Sequence, residues 1–211
     1  MRKISHMVAY MTLDLFTALA TFAFVTVITP GPNNLMLMAS GTNFGFVRTI
    51  PHMLGIGLGF PLMVFCVGMG VMRVFDIWPL SYTLLKAVSV AYLLFLAWKI
   101  ANAAPPRATE GPAEGKPLTF LQSAAFQWVN PKAWSMALSA ITLYAAGRDL
   151  MAVLWVAGVY VGVSAISTTG WTVLGQQVRR LLKNPTRLRV FNWVMAVLLV
   201  ATLVPVLWPV G

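Results

Sequence analysis

The chain has 211 residues, of which 59% are hydrophobic and 9% charged, with a formal net charge of +10 and a mean hydropathy of +0.79. Polar side chains this scarce cannot cover a water-soluble globule of that size, so most of the surface must face lipid. The lysines and arginines flank apolar segments instead of forming a basic groove interleaved with aromatics, so anionic lipid headgroups account for the charge and no nucleic-acid partner is expected.

Arg2 and Lys3 precede an apolar run from Leu13 to Thr29, the order of a secretory signal. No small-residue cleavage pattern follows, and later segments are equally apolar, so the run is read as a first membrane span. Met7 and Met11 stand beside Met1 as alternative starts. A spanning helix needs about 20 predominantly apolar residues, and the pattern predicts about six of them. They are placed at residues 13–29, 49–72, 79–101, 118–146, 150–174 and 188–207, in an all-α polytopic membrane protein. The piece from Leu35 to Ser40 is too short to cross alone and follows a Pro-Gly-Pro break, which predicts a half-helix or re-entrant segment.

Residues 102–117 combine Pro105, Pro106, Gly111, Pro112 and Gly115 with Glu110 and Glu114, a composition suited to neither a core nor lipid. This polar linker divides one transmembrane domain (1–211) into two halves, 13–101 and 118–208. Three spans per half require opposite insertion if the halves are related, so a 3+3 inverted repeat is expected. The first span breaks at Thr29-Pro30-Gly31-Pro32-Asn33-Asn34 and the fourth at Trp128-Val129-Asn130-Pro131-Lys132-Ala133, comparable places in the two halves.

Positive charge in short loops marks the cytoplasmic side. The first, third and fifth connections carry Arg48, then Lys99, Arg107 and Lys116, then Arg179, Arg180, Lys183, Arg187 and Arg189. The other side has Arg2, Lys3, Arg73 and Arg148, so both termini are predicted outside the cell. Trp78, Trp98 and Trp208 fall near segment ends, at headgroup depth.

The two breaks carry the functional signal. A proline inside a helix removes a hydrogen-bond donor, and in lipid the freed backbone groups need protein or a water-filled cavity. Pro131 after Asn130 fits the first position of a capped helix, and Pro32 opens a second half-helix in the same way. Each half-helix aims a partly positive N-terminus, with free amide N–H groups, into the membrane interior, where it suits a carboxylate. Unwound carbonyls near Thr29 and Trp128 suit an ammonium, so paired breaks point to an amino-acid site at the midplane. The alternative is that the prolines only kink two helices for packing.

Gly41 and Gly45, Gly55 and Gly59 with Gly57 between them, and Gly158 and Gly162 have a spacing that lets helices approach closely, so a packing role is expected.

The Thr29-to-Asn33 motif, the glycine-rich run from Gly45 to Gly59, Lys86 with Ala91-Tyr92-Leu93 and Trp98, and Asn130-Pro131-Lys132-Ala133 together resemble the LysE/RhtB amino-acid exporter family. The ordered motifs reach to about Leu143; beyond it the sixth segment has Ala196 and Ala201 where the resemblance implies glycine. The resemblance implies a bacterial cytoplasmic-membrane exporter of amino acids or analogues, driven by the proton-motive force and assembling as a homo-oligomer. With Asn34 added from the first break, the substrate-binding candidates are Pro30, Gly31, Pro32, Asn33, Asn34, Asn130, Pro131 and Lys132.

The five acids, Asp14, Asp76, Glu110, Glu114 and Asp149, all fall in loops or at segment ends. A cationic substrate would find no buried counter-charge, so a neutral amino acid of the homoserine, threonine or leucine type is expected. Asp14 and His52 are the candidates for carrying a proton; a first-turn acid complementing the helix dipole and an interfacial histidine are their plainer readings. Lys132 either snorkels to an interface or adds charge beside a substrate carboxylate, and Trp128 and Trp134 offer an aromatic face to an ammonium or simply pack.

Cys66 is the only cysteine and His6 and His52 are far apart, so no disulfide, metal or cofactor is expected. No cluster of acids, histidines or an activated nucleophile appears, which excludes an enzyme. A channel or permease for another small solute, or a membrane subunit that binds a partner, remain the other classes.

Overall fold

The computed structural model describes residues 13–103, 115–145, 147, 149–182 and 184–208. The alternative starts, Glu110, Glu114, Arg107, Arg148 and Lys183 lie outside the described residues.

All regular structure among the described residues is helical. The order is α1 (Leu13–Ile28), α2 (Pro32–Phe44), α3 (Phe46–Gly68), α4 (Arg73–Ile77), α5 (Leu80–Ala101), α6 (Phe120–Phe126), a single 3-10 turn (Gln127–Val129), α7 (Pro131–Tyr144), α8 (Leu150–Leu181), α9 (Pro185–Ala201) and α10 (Val204–Leu207). Four stretches are long and apolar enough to cross a bilayer: α3, α5, α8 and residues 185–207. The pair α1 and α2, bent by 57° at residues 29–31, makes a fifth. The fourth predicted span, residues 118–146, folds as α6, the 3-10 turn and α7 and is not among the stretches long and apolar enough to cross, so four or five candidate spans stand where six were expected.

Several boundaries differ from the sequence-based expectation. The piece expected at Leu35–Ser40 extends over 13 residues, Pro32–Phe44, because α2 is wrapped by protein and its Asn33, Asn34, Ser40, Thr42 and Asn43 need not meet lipid. α3 begins at Phe46 because Gly45, with φ +80°, turns the chain directly out of α2. α8 continues past Leu174 to Leu181, about 48 Å at 1.5 Å per residue, so its last turns, with Arg179 and Arg180, extend beyond a hydrocarbon layer of about 30 Å. α9 starts at Pro185, where the Asn184 side chain accepts from the Thr186 N–H at 2.8 Å.

The distribution of side chains inverts that of a soluble protein. Leu54, Leu58 and Leu62 form an exposed stripe on α3, and Trp193, Val194 and Val197 are exposed on α9. Asn34, Thr42, Asn43, Gln127, Asn130, Ser164, Ser167, Thr168, Thr172 and Asn192 are buried. Apolar outside and polar inside is the arrangement lipid demands, and of these buried groups Ser164 Oγ and Thr172 Oγ1 have no hydrogen-bond partner among the described residues. At the core, Leu19, Phe60, Met63, Ala137 and Tyr160 form one apolar cluster, and Leu35, Leu93, Phe126, Met195 and Leu199 another. Phe60 and Tyr160 meet edge-on at 5.0 Å. Arg48 donates to the Gly115 carbonyl at 2.8 Å, and Lys99 and Lys116 share a cavity wall, so charges from the first and third connections gather at one end of the bundle.

The glycines divide into three kinds. At Gly41 a Cβ would run into the backbone of Thr172, and at Gly175 into the backbone of Met38, so α2 and α8 approach nearly backbone to backbone. Thr42 Oγ1 crosses the same seam to the Gly175 carbonyl at 2.8 Å. Gly55 and Gly59 seat α6 against α3 through Ser123 and Ala124. The packing expected of Gly45, Gly57, Gly158 and Gly162 is not found: Gly45 serves the positive φ, and a Cβ on the other three would meet nothing within 4 Å. Gly175→Val is therefore expected to destabilise the protein by about 1–3 kcal/mol or more through overpacking, whereas Gly158→Ala and Gly162→Ala are neutral or slightly stabilising. Thermal denaturation of the detergent-solubilised protein measures both.

Candidate functional site

α1 ends because Pro30 and Pro32 supply no N–H to continue it. The carbonyls of its last turn thereby lose their partners, and in an apolar surround each orphan is costly. Every one from Val27 to Pro30 is met by a side chain. Asn34 Nδ2 donates to the carbonyls of Val27 at 2.7 Å and Thr29 at 2.8 Å. From α8, Ser167 Oγ donates to Val27 at 3.3 Å and Trp171 Nε1 to Ile28 at 3.1 Å. Lys132 Nζ reaches over from the other break and donates to the Thr29 carbonyl at 2.7 Å, Thr29 Oγ1 at 2.9 Å and the Pro30 carbonyl at 3.4 Å.

Lys132 thus places an ammonium at the partly negative end of α1. Its stem passes directly over Gly31, where a Cβ would lie 2.6 Å from Lys132 Cδ. Gly31 is extended, with φ −174°, a conformation open to any residue, so a Cβ there would displace the end of the lysine stem and not strain the backbone.

The second break is built from the same parts. Thr119 and Gln122 close a reciprocal capping box at the start of α6. After the 3-10 turn, Asn130 Oδ1 accepts from the Lys132 N–H at 3.1 Å and Pro131 opens α7. Trp134 Nε1 donates to the freed Trp128 carbonyl at 2.8 Å, and its ring stacks edge-on against Trp128 and Phe75. The tryptophan pair therefore seals and packs this break. The two breaks join through a reciprocal amide pair: Asn33 Nδ2 donates to Gln127 Oε1 at 2.8 Å, and Gln127 Nε2 donates to Asn33 Oδ1 at 3.1 Å.

Of the eight candidates, Gly31, Asn33, Asn34, Asn130 and Lys132 line one small cavity of about 20 Å³. That is room for about one water molecule. Pro30, Pro32 and Pro131 shape the breaks without lining it. The carbonyls of Thr29 and Trp128, expected to face a ligand ammonium, are held by the protein's own Lys132 and Trp134. The remaining wall comes from Val27, Ile56, Phe60, Met136 and a polar stripe of α8, Ser164, Ser167 and Thr168.

That stripe and Gln127 are absent from the sequence-based set. Spacing of three and four residues on an otherwise apolar helix was the available signal for the stripe. Ser164 Oγ is buried with no hydrogen-bond partner among the described residues. The described acids stay away: Asp14 is exposed in the first turn of α1, Asp76 is exposed in α4, and Asp149 caps α8 by accepting from the Ala152 N–H at 3.2 Å. His52 lies in α3, away from the breaks, and is buried. No group of residues suited to a metal ion occurs among the described residues.

Asn34→Leu, close in size, leaves the Val27 and Thr29 carbonyls without that donor and is expected to cost about 1–3 kcal/mol for each group left unpaired. A double-mutant cycle of Asn33→Ala and Gln127→Ala is expected to show coupling of about 1 kcal/mol across the breaks. Thermal denaturation in detergent measures both.

Comparison with known proteins bears on what this arrangement serves. The family described as LysE type translocator matches residues 24–205, so the match runs through the last third, beyond the Leu143 limit of the sequence motifs. The cysteine/O-acetylserine efflux proteins of Escherichia coli (strain K12) and Shigella sonnei (strain Ss046) are each 35% identical over 195 residues, spanning 90% of this chain and 96% of the relative. That of Escherichia coli O139:H28 is 34% identical over the same extent. No solved structure matches the chain. With a family match over most of its length and relatives aligned nearly end to end, the chain belongs to the LysE type translocators, membrane transporters and not enzymes.

Proposed function

We propose that this translocator exports small neutral amino acids across the bacterial cytoplasmic membrane, with the substrate held where the two breaks meet. The observation that carries the reading is the joining of both broken segments around a polar, carboxylate-free cavity deep in the bundle. Two half-helix N-termini, at Pro32 and Pro131, offer amide N–H groups to a carboxylate. The oxygens of Thr29 and Pro30, now on Lys132, form a ready-made site for an ammonium.

In this closed arrangement Lys132 occupies the place of the substrate's amino group. Binding requires the cavity to widen from about 20 Å³ and the substrate ammonium to share or take over the Thr29 and Pro30 oxygens. Absence of any carboxylate from the wall disfavours lysine or arginine. Within the neutral class, Ser164, Ser167 and Thr168 suit short polar side chains, which agrees with the cysteine and O-acetylserine in the relatives' names more than with leucine. The basic end, with Arg48, Lys99, Lys116, Arg179 and Arg180, faces the cytoplasm and both termini face outward. The two halves are inverted repeats, and the proton-motive force drives export.

Cells preloaded with dipeptides and expressing the chain are expected to release cysteine, O-acetylserine, serine, threonine or homoserine several-fold faster than cells without it, and lysine and arginine no faster. Asn130→Ala, at equal membrane abundance, loses that gain, and a protonophore abolishes release against a gradient. If no amino acid responds to the chain, the substrate class is wrong. If release persists down-gradient only and does not saturate, the protein is a channel.

A further inference from the structure

A second cavity lies between α2, α3, α5 and the segment 116–118, at the basic end of the bundle. It measures about 80 Å³, four times the cavity at the breaks, and holds about four water-sized volumes. Most of its wall is apolar, and the polar residues on it are Ser40, Asn43, His52, Lys99 and Lys116.

His52 is only 2% exposed, and neither Nδ1 nor Nε2 has a hydrogen-bond partner among the described residues. A neutral imidazole has one N–H donor and one acceptor nitrogen, and buried polar groups are almost always paired. Ser40 adds a second open group. The Thr49 hydroxyl donates to the Gly45 carbonyl at 2.8 Å, so in the 2.9 Å contact between Ser40 and Thr49 it is Ser40 that donates. Ser40 Oγ therefore keeps its lone pairs for another donor. Asn43 is not open, since its amide pairs reciprocally with Asn192 at 2.8 and 3.1 Å and donates to the Ala39 carbonyl. Lys99 and Lys116 are exposed, with the Lys99 ammonium 5.9 Å from the Phe95 ring.

We infer that this cavity is a separate loading site for the amino acid on its way to the breaks, with the carboxylate toward Lys99 and Lys116 and the ammonium and side chain toward Ser40 and His52. The residues sort themselves by charge: cations at the rim attract the carboxylate, and inside, the Ser40 oxygen and the imidazole accept and donate for the rest. A ligand with a carboxylate at one end and donors at the other completes both sets, and an apolar solute completes neither. α2 connects the two sites, since Asn33 and Asn34 at its N-terminus line the cavity at the breaks and Ser40 and Asn43 line this one.

The inference rests on the amino-acid export reading, and one experiment separates the two. Uptake of labelled cysteine, kept reduced, and of labelled O-acetylserine is measured in inside-out membrane vesicles, which present the basic end outward. His52→Leu is expected to raise KM about tenfold with Vmax within twofold, while the thermal midpoint of the purified protein stays level or rises because an unpaired buried ring has been replaced by an apolar group. A double variant of exposed residues, Lys99→Gln with Lys116→Gln, does not challenge folding; it is expected to raise KM several-fold and to flatten its dependence on salt. Unchanged KM in both variants, with wild-type uptake intact, overturns the loading site and leaves export standing. A thermal midpoint that falls together with affinity in His52→Leu assigns His52 to packing and overturns its role in the site. If wild-type vesicles take up neither compound, the export reading fails for both and the loading site falls with it.

Discussion

Backbone carbonyls opened at a helix break must find donors wherever lipid or protein replaces water, and the rest of the structure is arranged around that need. The Pro-Gly-Pro break strips the end of α1 of its helical partners. The donors come from three places: Asn34 just after the break, Ser167 and Trp171 on α8, and Lys132 on α7. Because Lys132 follows the second break directly, satisfying the first break fixes the position of the second. The Asn33–Gln127 amide pair adds a second tie. The polar groups that would make either segment too costly in lipid alone are what hold them together.

Such a joint has a functional consequence. A break sealed only by apolar packing would be a structural kink, whereas the first break is sealed by a lysine ammonium and a side-chain amide, groups of the kind that a zwitterion can replace or engage. A ligand can exchange with these partners without exposing an orphan group to lipid, so opening costs less than it would in a dry core. The small size of the cavity follows from the protein's own side chains filling it.

The features that depend on one residue's own chemistry were legible in the sequence. Pro30, Pro32 and Pro131 announce the breaks because proline lacks an N–H, and Asn130 announces a cap. Clustering of Arg48, Lys99 and Lys116 at one end was legible for the same reason: charge avoids lipid whatever it contacts. Features that depend on a distant partner were not. Lys132 could be read as a cation near a helix start, but its partners are 103 and 102 residues away, and nothing local says that its stem crosses Gly31. The full length of α2 was missed because hydropathy measures fitness for lipid, and a helix enclosed by protein escapes that test; Asn34, Thr42 and Asn43 are buried, yet they bound the apolar piece at Leu35–Ser40, too short to cross alone. Gly158 and Gly162 failed in the opposite direction, since a four-residue spacing permits close approach without supplying the helix that approaches.

α2 is the element through which these constraints act together. Its N-terminal residues belong to the joint between the breaks, its C-terminal residues to the cavity at the basic end, and its middle is seated on α8 at Gly41 and Gly175 with almost no side chain between the backbones. A seam of this kind resists separation but has little side-chain interdigitation to prevent sliding. Thr42, whose single hydroxyl proton is within reach of both the Met38 carbonyl of α2 and the Gly175 carbonyl of α8, sits across it and keeps an internal acceptor if the outer one moves away. Displacement of α2 along α8 would strain the Lys132–Thr29 joint and alter the wall at Ser40 in one motion, because a rigid helix of 13 residues connects the two. Coupling between the two cavities then needs no chain of contacts beyond the helix itself.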